Sequence, residues 1–490
     1  MTPMTYEPTL ASLNAHPVPQ WYDDAKFGIF IHWGMWAIPA FAGSSGSIGE
    51  IFRDHFDKAV AMTPYTEWYE NAIKVPGTPS AKFHAEMYGN MPYSDFRDPF
   101  LETIDQWDPD AWADQFARAG AKYVVLVTKH HDGFCLWPSD VKNPKRDNWY
   151  SRRDIVGELG EAVRARGMRY GLYYSGGIDW SFNPKPLRTL GEFISSAPRG
   201  KYPAYATAQV RELIERYRPS ILWNDISWPT PLAPQLQLFA DYYNEIDDGV
   251  VNDRWMPQSW KTALMRLPPV RRSFDRAVRK RMQSESASKG ITPPKPPHFD
   301  FQTPEYATFS DIAQNKWEAT RGMSHSFGFN RNDTDADYLS AEEIVHGFAD
   351  AVSKNGNLLL NVGPRGDNGT IPKEQTTRLD AFGNWITRNS QGVYGTRPWT
   401  RAEGKAIADG ETLDVRFTCT DTALYAHVLS ATRPQQLTIS DLPVTADTHI
   451  NLLGHGPVQW QGNATSVTLT LPAKTDADPA WTLAIPHPAT

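Results

Sequence analysis

The stretch YVVLVTKHHDG, residues 123–133, decides the fold. Its first part, Tyr123–Thr128, is a continuous apolar run rather than an alternation of apolar and polar residues. A strand of this kind is buried on both faces, which is typical of a parallel sheet covered by helices. The run ends abruptly in Lys129-His130-His131-Asp132. The stretch therefore predicts a parallel α/β fold with polar chemistry at one edge of its sheet.

The same pattern recurs along the chain. Apolar runs alternate with amphipathic helical segments at residues 27–32, 123–128, 170–174, 221–223, 250–252 and 357–362. This rhythm fits either an open sheet, which gathers ligands at one crevice, or a closed barrel, which gathers all its strand ends at one face. Polar residues at or near these strand ends favour the barrel: His32, His130, His131, Tyr173, Asp225 and Arg254. We predict an α/β fold with a (β/α)₈-like TIM barrel over residues 21–393.

The pattern changes after residue 393. Apolar residues now alternate with polar ones, as in Leu413-Val415-Phe417 and in Trp481-Leu483-Ile485. Period-two strands separated by polar turns predict an antiparallel β-sandwich, which we assign to residues 394–490. We expect residues 1–20 to form a loose leader.

Residues 256–297 stand apart from both patterns. The segment holds ten Lys or Arg residues against two acids, Asp275 and Glu285, and it ends in Pro293-Pro294-Lys295-Pro296-Pro297. A basic helix followed by a proline-rich return is the expected local structure. Its role stays open between a solvated or partly disordered insertion and a lid or subunit contact.

Composition excludes several classes of protein. The chain has 490 residues and a formal net charge of −7, without the basic excess that is usual in nucleic-acid-binding proteins. Two cysteines cannot form a disulfide framework, and no apolar stretch approaches the roughly 18 residues of a membrane span. Residues 1–20 show neither the basic start nor the apolar run of a signal peptide, so we expect a cytoplasmic protein.

Asp225 is the first candidate for a functional carboxylate. An Asp directly after an apolar strand is either a helix N-cap or a reactive group, and the residues that follow Asp225 do not begin a helix at once. Trp223 and Trp228 flank it in a chain that has 18 tryptophans. A carboxylate between large flat side chains fits a sugar site, where an aromatic platform holds the ring.

Two further carboxylates lie beside tryptophans. Glu318 follows Trp317, and burial against an indole raises the pKa of a carboxyl group, as a general acid requires. The alternative for Glu318 is a surface residue paired with Lys316 or Arg321. Glu67 precedes Trp68 and has the same character.

The adjacent histidines His130 and His131 allow a metal site as an alternative. Neighbouring residues on a strand point to opposite faces, however, and the chain has no HExxH motif. Hydrogen bonding of neutral imidazoles to a polar substrate is the interpretation that we favour for both, and for His32. We predict no metal and no cofactor.

Several long motifs carry a family resemblance: WYDDAKFGIFIHWG (21–34), KHHDGFCLW (129–137), YYSGG (173–177), LWNDISWP (222–229), VNDRW (251–255), WEATRGMSHSFGFN (317–330) and SKNGNLLLNVGP (353–364). In this order, over about residues 20–395, they resemble the α-L-fucosidases of glycoside hydrolase family 29. The resemblance implies a barrel-like catalytic domain, a C-terminal β-sandwich and a retaining exo-hydrolase that releases terminal α-L-fucose from fucosylated oligosaccharides or glycosides.

The resemblance also implies residue roles. Asp225 matches the nucleophile and Glu318 a proposed acid/base, with Glu67 as the reserve candidate. The positions that match sugar contacts are His32, Glu67, Trp68, His130, His131, Tyr173, Trp223 and Arg254. A non-catalytic sugar-binding protein on the same scaffold and a metal-dependent hydrolase are the alternatives, and a homo-oligomer stays open. We expect no nucleic-acid or membrane partner.

Overall fold

A computed structural model describes residues 5–43, 48–284, 294–473 and 478–486. Part of the expected leader, residues 1–4, and part of the basic insertion, residues 285–293, lie outside the described residues. Within the described ranges, none of the helices combines the length and the apolar character needed to cross a bilayer.

Seven parallel strands form the first sheet. They are β1 (Phe27–Ile31), β2 (Tyr123–Lys129), β3 (Arg169–Ser175), β4 (Ile221–Asp225), β5 (Val250–Val251), β6 (Trp317–Gly322) and β7 (Gly356–Val362). Their order across the sheet is β5-β4-β3-β2-β1-β7-β6, so β5 and β6 are the edges. Nearly every residue of these strands is buried, as the continuous apolar runs predict.

The segment 301–305 lies between the two edge strands. Asn252, next to β5, bridges to Phe301 in parallel, while Gln302 and Glu305 bridge in parallel to Trp317 and Thr320 of β6. The segment therefore acts as an eighth, irregular element that joins the edges of the curled sheet. The predicted barrel-like fold is confirmed.

Helices cover the outside of the barrel and its rims. Their bounds are α1 Leu10–Leu13, α2 Gln20–Ala25, α3 Ile48–Asp54, α4 Tyr69–Ala72, α5 Pro79–Tyr88, α6 Arg97–Gln106, α7 Pro109–Arg118, α8 Ile155–Ala165, α9 Leu190–Ile194, α10 Tyr202–Tyr217, α11 Leu232–Glu245, α12 Trp260–Leu264, α13 Pro268–Ser284, α14 Ala341–Ser353 and α15 Lys373–Asn389. Helix α7 shows why the predicted boundaries hold. The Asp108 carboxylate accepts hydrogen bonds from the amides of Asp110 and Ala111, and Gly120 follows with φ +87°.

The basic insertion forms α12 and α13 where it is described. Helix α13 packs on α9 and α3. The Asp275 carboxylate accepts hydrogen bonds from the Thr189 hydroxyl and the Gly191 amide, at 2.9 and 2.8 Å. On the next turns Arg279 lies over the Phe56 ring. One face of the insertion is therefore anchored to the loops that follow β1 and β3.

Nine antiparallel strands form the second sheet: β8 (Arg397–Ala408), β9 (Glu411–Cys419), β10 (Ala423–Leu429), β11 (Gln436–Ile439), β12 (Asn451–Leu452), β13 (Gly456–Pro457), β14 (Gln459–Asn463), β15 (Ser466–Thr470) and β16 (Trp481–Pro486). Their order is β13-β12-β16-β10-β9-β8-β11-β15-β14. The sheet curls around its own apolar core, which includes Phe417, Leu469 and Leu483. The period-two pattern is confirmed as a sandwich-like antiparallel domain.

Helix α15 connects the two sheets. The Trp385 indole donates to the carbonyl of Ala480 at 2.9 Å, and the Arg388 guanidinium pairs with Asp478. The last turn before the second sheet ends at Gly392 and β8 begins at Arg397. The boundary that we placed between residues 393 and 394 stays a prediction.

Candidate active site

The carboxyl ends of the parallel strands bring polar side chains together. His32 follows β1, His130 follows β2, Tyr173 lies near the end of β3, and Asp225 is the last residue of β4. Arg254 lies three residues beyond β5. In a closed parallel sheet these ends meet at one face, so residues far apart in sequence become neighbours.

Asp225 has both carboxylate oxygens hydrogen-bonded. Its Oδ1 accepts from Arg254 Nη1 at 2.9 Å and from the Ile226 amide at 2.8 Å, and its Oδ2 accepts from the Tyr173 hydroxyl at 2.8 Å. Burial alone raises the pKa of Asp225, but the charge of Arg254, the neighbouring His131 and the hydrogen bonds together hold it below its ordinary value. The residue is therefore a buried, ionised carboxylate.

The backbone turns sharply at Ile226. Its φ is +71°, a left-handed conformation that is strained for a β-branched residue. The turn points the Ile226 amide at the Asp225 side chain, and the Ser227 amide donates to the Asp225 carbonyl at 3.0 Å. The strained turn at Ile226 thus helps to orient the Asp225 carboxylate.

A carboxylate that the sequence did not reveal, Glu305, completes the centre. Arg254 Nη2 donates to Glu305 Oε2 at 3.0 Å while Nη1 donates to Asp225, so one guanidinium joins the two carboxylates. The Tyr65 hydroxyl donates to Glu305 Oε1 at 2.8 Å. Glu305 is the last residue of the segment 301–305, which has no apolar run. Glu305 lies two residues after Thr303, which accepts a hydrogen bond from Arg254 Nε at 3.0 Å, and no motif in the sequence marks this link.

Glu67 and Trp68 approach from the loop after β1. Glu67 is buried, and its Oε2 accepts from the Gly328 amide at 3.0 Å. Burial raises the pKa of Glu67 to about 7, with smaller contributions from the charges of Glu305 and Asp225. The Trp68 ring meets His131 edge to face, with centroids 4.9 Å apart. The structure therefore brings both predicted residues to the centre.

Two imidazoles, those of His32 and His131, donate through Nδ1 and therefore keep Nε2 as a hydrogen-bond acceptor. His131 Nδ1 lies 2.6 Å from the Ser175 hydroxyl, which gives its only proton to the Ile178 carbonyl, so Nδ1 is the donor. His32 Nδ1 donates to Asn361 Oδ1 at 2.6 Å. Burial lowers the pKa of His32 to about 3 and that of His131 to about 4. Both rings are neutral at pH 7 and carry a lone pair on Nε2, which suits a ligand hydroxyl.

His130 is also buried and neutral, because burial lowers its pKa well below the ordinary value. Its ring lies parallel to Tyr173, with centroids 5.7 Å apart. Its Nδ1 has no hydrogen-bond partner among the described residues. No group of three His, Cys, Asp or Glu side chains in the described ranges could hold a metal ion.

Trp223 forms the floor of the centre. Its ring stacks on Tyr173, with centroids 5.4 Å apart and planes at 24°, and the Arg254 guanidinium lies 4.8 Å from the ring centroid. The two side chains that donate to the Asp225 carboxylate, those of Tyr173 and Arg254, thus both rest on one indole.

The structure does not bring Glu318 to this centre. Glu318 is the second residue of β6, fully buried near the amino-terminal end of the barrel, below Trp223. Its oxygens accept from Tyr22, Tyr123 and the Trp223 indole. Burial raises the pKa of Glu318 to about 7, as we predicted for a residue beside an indole. A carboxyl group without solvent exposure and with three protein donors has no path to a ligand, and this geometry argues against the acid/base role that we expected.

The centre therefore combines an ionised carboxylate, two neighbouring carboxyl groups, neutral imidazole acceptors and aromatic walls. This combination suits a compact ligand that has several hydroxyl groups and an electrophilic carbon.

Comparison with known proteins agrees with this chemistry. The profile of the α-L-fucosidase family matches residues 1–391. The tissue α-L-fucosidase of Rattus norvegicus is 30% identical over 504 residues, which cover 99% of this chain and 93% of the rat protein. The corresponding enzyme of Bos taurus is 31% identical, covering 98% and 91%.

Solved structures agree as well. The α-fucosidase of Thermotoga maritima in complex with fucose is 36% identical, with a TM-score of 0.79, over 98% of this chain and 100% of that one. The same enzyme with a mechanism-based inhibitor gives a TM-score of 0.81 at the same identity and coverage.

We predict that His32 and His131 stay neutral from pH 8 down to about 5, because their pKa values lie near 3 and 4. Histidine ¹⁵N NMR, with signals assigned through His32→Asn and His131→Asn, measures this directly. The exposed His55 is the internal reference. Protonation of either ring above pH 6 would contradict the geometry described here.

Proposed function

The chain belongs to the α-L-fucosidase family, and on that premise we propose that it releases terminal α-L-fucosyl units from glycans and glycosides with retention of configuration. The observation that carries the proposal is the ionised Asp225, joined to a second carboxyl group, Glu305, through the Arg254 guanidinium. Retaining glycosidases have their two carboxyl groups about 5–5.5 Å apart, which is close enough for one cation to contact both.

The proposed reaction has two displacements. Asp225 attacks C1 of the fucosyl unit, and an acid gives its proton to the leaving oxygen, so that an alcohol departs and a β-fucosyl ester of Asp225 remains. The acid, which is now a carboxylate, takes a proton from water as the water oxygen attacks C1. The C1–Asp225 bond breaks, and α-L-fucose leaves with Asp225 ionised again.

We assign the acid/base role to Glu305. Its side chain is 9% exposed, comparable with the 12% of Asp225, whereas Glu318 is completely enclosed. It lies across the guanidinium from the nucleophile, and it is held by a single tyrosine hydroxyl on its other oxygen. Arg254 holds Oε2 and Tyr65 holds Oε1; the carboxyl group has further lone-pair positions, and in our proposal one of them carries the proton for the leaving oxygen.

Glu67 is the second candidate for the acid. The observation in its favour is its pKa of about 7, caused chiefly by burial, which keeps a proton available near neutral pH. Glu67 is only 2% exposed, however, against 7% for Glu305. In our proposal Glu67 binds a sugar hydroxyl.

The neutral imidazoles and Trp68 recognise the sugar. His32 and His131 accept hydrogen bonds from ligand hydroxyls. A sugar with another hydroxyl arrangement leaves such a buried acceptor unpaired, at a cost of about 1–3 kcal/mol for each group. Specificity for the fucosyl unit follows from the sum of these contacts.

The wild-type enzyme is expected to hydrolyse 4-nitrophenyl α-L-fucoside and to release α-L-fucose first. Two inversions at C1 restore the starting configuration. Proton NMR of the first-formed anomer measures this before mutarotation. Initial β-fucose contradicts retention, and absence of hydrolysis contradicts the function.

Asp225→Ala is expected to lower kcat by at least about 1,000-fold, because the nucleophile is lost. Added azide then attacks C1 once and yields β-L-fucosyl azide, which NMR identifies. Asp253→Ala, which removes a neighbouring buried carboxylate bound to Thr303, is the matched control and yields no azide adduct. Wild-type turnover by Asp225→Ala would end the assignment.

Glu305→Ala is expected to lower kcat/KM by about 100- to 10,000-fold for poor leaving groups, and much less for a 2,4-dinitrophenolate that needs no protonation. Azide now attacks the fucosyl–Asp225 ester, so that the product is α-L-fucosyl azide. Glu67→Ala is run in parallel. If Glu67→Ala, and not Glu305→Ala, gives the α-azide, the acid/base is Glu67.

A further inference from the structure

Glu318 is a buried carboxylate that the proposed reaction leaves without a role. Its Oε2 accepts from the hydroxyls of Tyr22 and Tyr123, at 2.9 and 2.6 Å, and its Oε1 accepts from Trp223 Nε1 at 3.2 Å. The residue has no exposed surface. Two of its three donors belong to the closed end of the barrel, and the third belongs to the floor of the active site.

The third donor, Trp223, contacts two residues that in turn bind the nucleophile. The Trp223 ring supports Tyr173 by stacking, and the Arg254 guanidinium lies over the same ring. Tyr173 and Arg254 then donate to different oxygens of Asp225. The plane of one indole therefore supports both side chains that donate to Asp225.

An indole in a packed site has one polar atom that can define its rotamer. Turning the Trp223 ring over would remove Nε1 from Glu318 and leave both a buried N–H and a buried carboxylate oxygen unpaired, which is strongly unfavourable. The two tyrosine hydroxyls hold the carboxylate so that its Oε1 faces Trp223.

We propose that Glu318 is a positioning residue for the fucosidase reaction: it fixes the Trp223 indole through the Nε1–H bond and thereby fixes Tyr173 and Arg254 on the nucleophile Asp225. This inference rests on the proposed function. It differs from an acid/base role, because Glu318 exchanges no proton with the substrate, and from a purely structural role, because its loss changes the nucleophile of the folded enzyme.

The test uses Glu318→Leu, Glu318→Gln and Trp223→Phe in the full chain. Glu318→Leu removes the acceptor and is expected to lower kcat by about 10- to 100-fold with a smaller change in KM. Because Tyr173 and Arg254 hold Asp225 less firmly, the acidic limb of the pH–rate profile moves to higher pH. Glu318→Gln keeps an oxygen for the indole and recovers most of the loss.

A double-mutant cycle identifies the route. Trp223→Phe removes the N–H and keeps an aromatic ring, so it is expected to shift the acidic limb as Glu318→Leu does. Adding Glu318→Leu to Trp223→Phe is then expected to change kcat by less than about twofold. Additive losses would overturn the proposal.

Asp300→Asn is the matched control. Asp300 is also a buried carboxylate that accepts from a tyrosine hydroxyl, that of Tyr243 at 2.8 Å, and from the Val251 amide at 2.7 Å, but it lies outside this chain of contacts. We expect a lower melting temperature and an unchanged pH profile. A Glu318→Leu enzyme that behaves like Asp300→Asn is only destabilised, and the proposal fails.

Three more outcomes are decisive. If the loss in Glu318→Leu grows with the pKa of the leaving group, or azide yields α-L-fucosyl azide, Glu318 is the acid/base and not a positioning residue. If Glu318→Leu does not fold, Trp223→Phe carries the test alone, and a wild-type pH profile overturns the proposal. A wild-type enzyme without α-L-fucosidase activity instead defeats the proposed function, which separates the two failures.

Discussion

One buried guanidinium holds the functional end of this barrel together. Arg254 is 9% exposed and donates to Asp225, Glu305 and Thr303. A buried cation needs paired carboxylates, and two carboxylates so close together need a cation between them, because removing either partner leaves an uncompensated charge in a medium of low dielectric constant. The closing segment 301–305, β4 and the chain after β5 therefore converge on the same group.

The sequence predicts the parts of the fold that repeat. All six apolar runs interpreted as strands fall within one or two residues of the observed bounds, because strands buried on both faces are continuously apolar. Strand β6 and the segment 301–305 escaped notice. In Trp317-Glu318-Ala319-Thr320 the buried Glu318 is satisfied by Tyr22, Tyr123 and Trp223, so polar residues interrupt the apolar run. Segment 301–305 has only isolated bridges.

The site could be predicted in part for the same reason. Asp225, His32, His131 and Tyr173 follow or end apolar runs, so the strand period and the barrel geometry place them at one face. Glu318 was misplaced because a carboxylate beside a tryptophan looks the same in sequence at either end of a strand. Only the strand's direction shows that Glu318 lies at the closed end, and that Glu305, at the end of the closing segment, lies at the open one.

The basic insertion joins Arg254 to Glu305 along the chain, yet both residues are fixed by contacts that lie outside the insertion. Asn224 and Thr303 hold Arg254, and Tyr65 holds Glu305. The length and composition of the insertion therefore do not set the distance between Arg254 and Glu305. Changes in the insertion can therefore accumulate in this chain without moving Arg254 or Glu305.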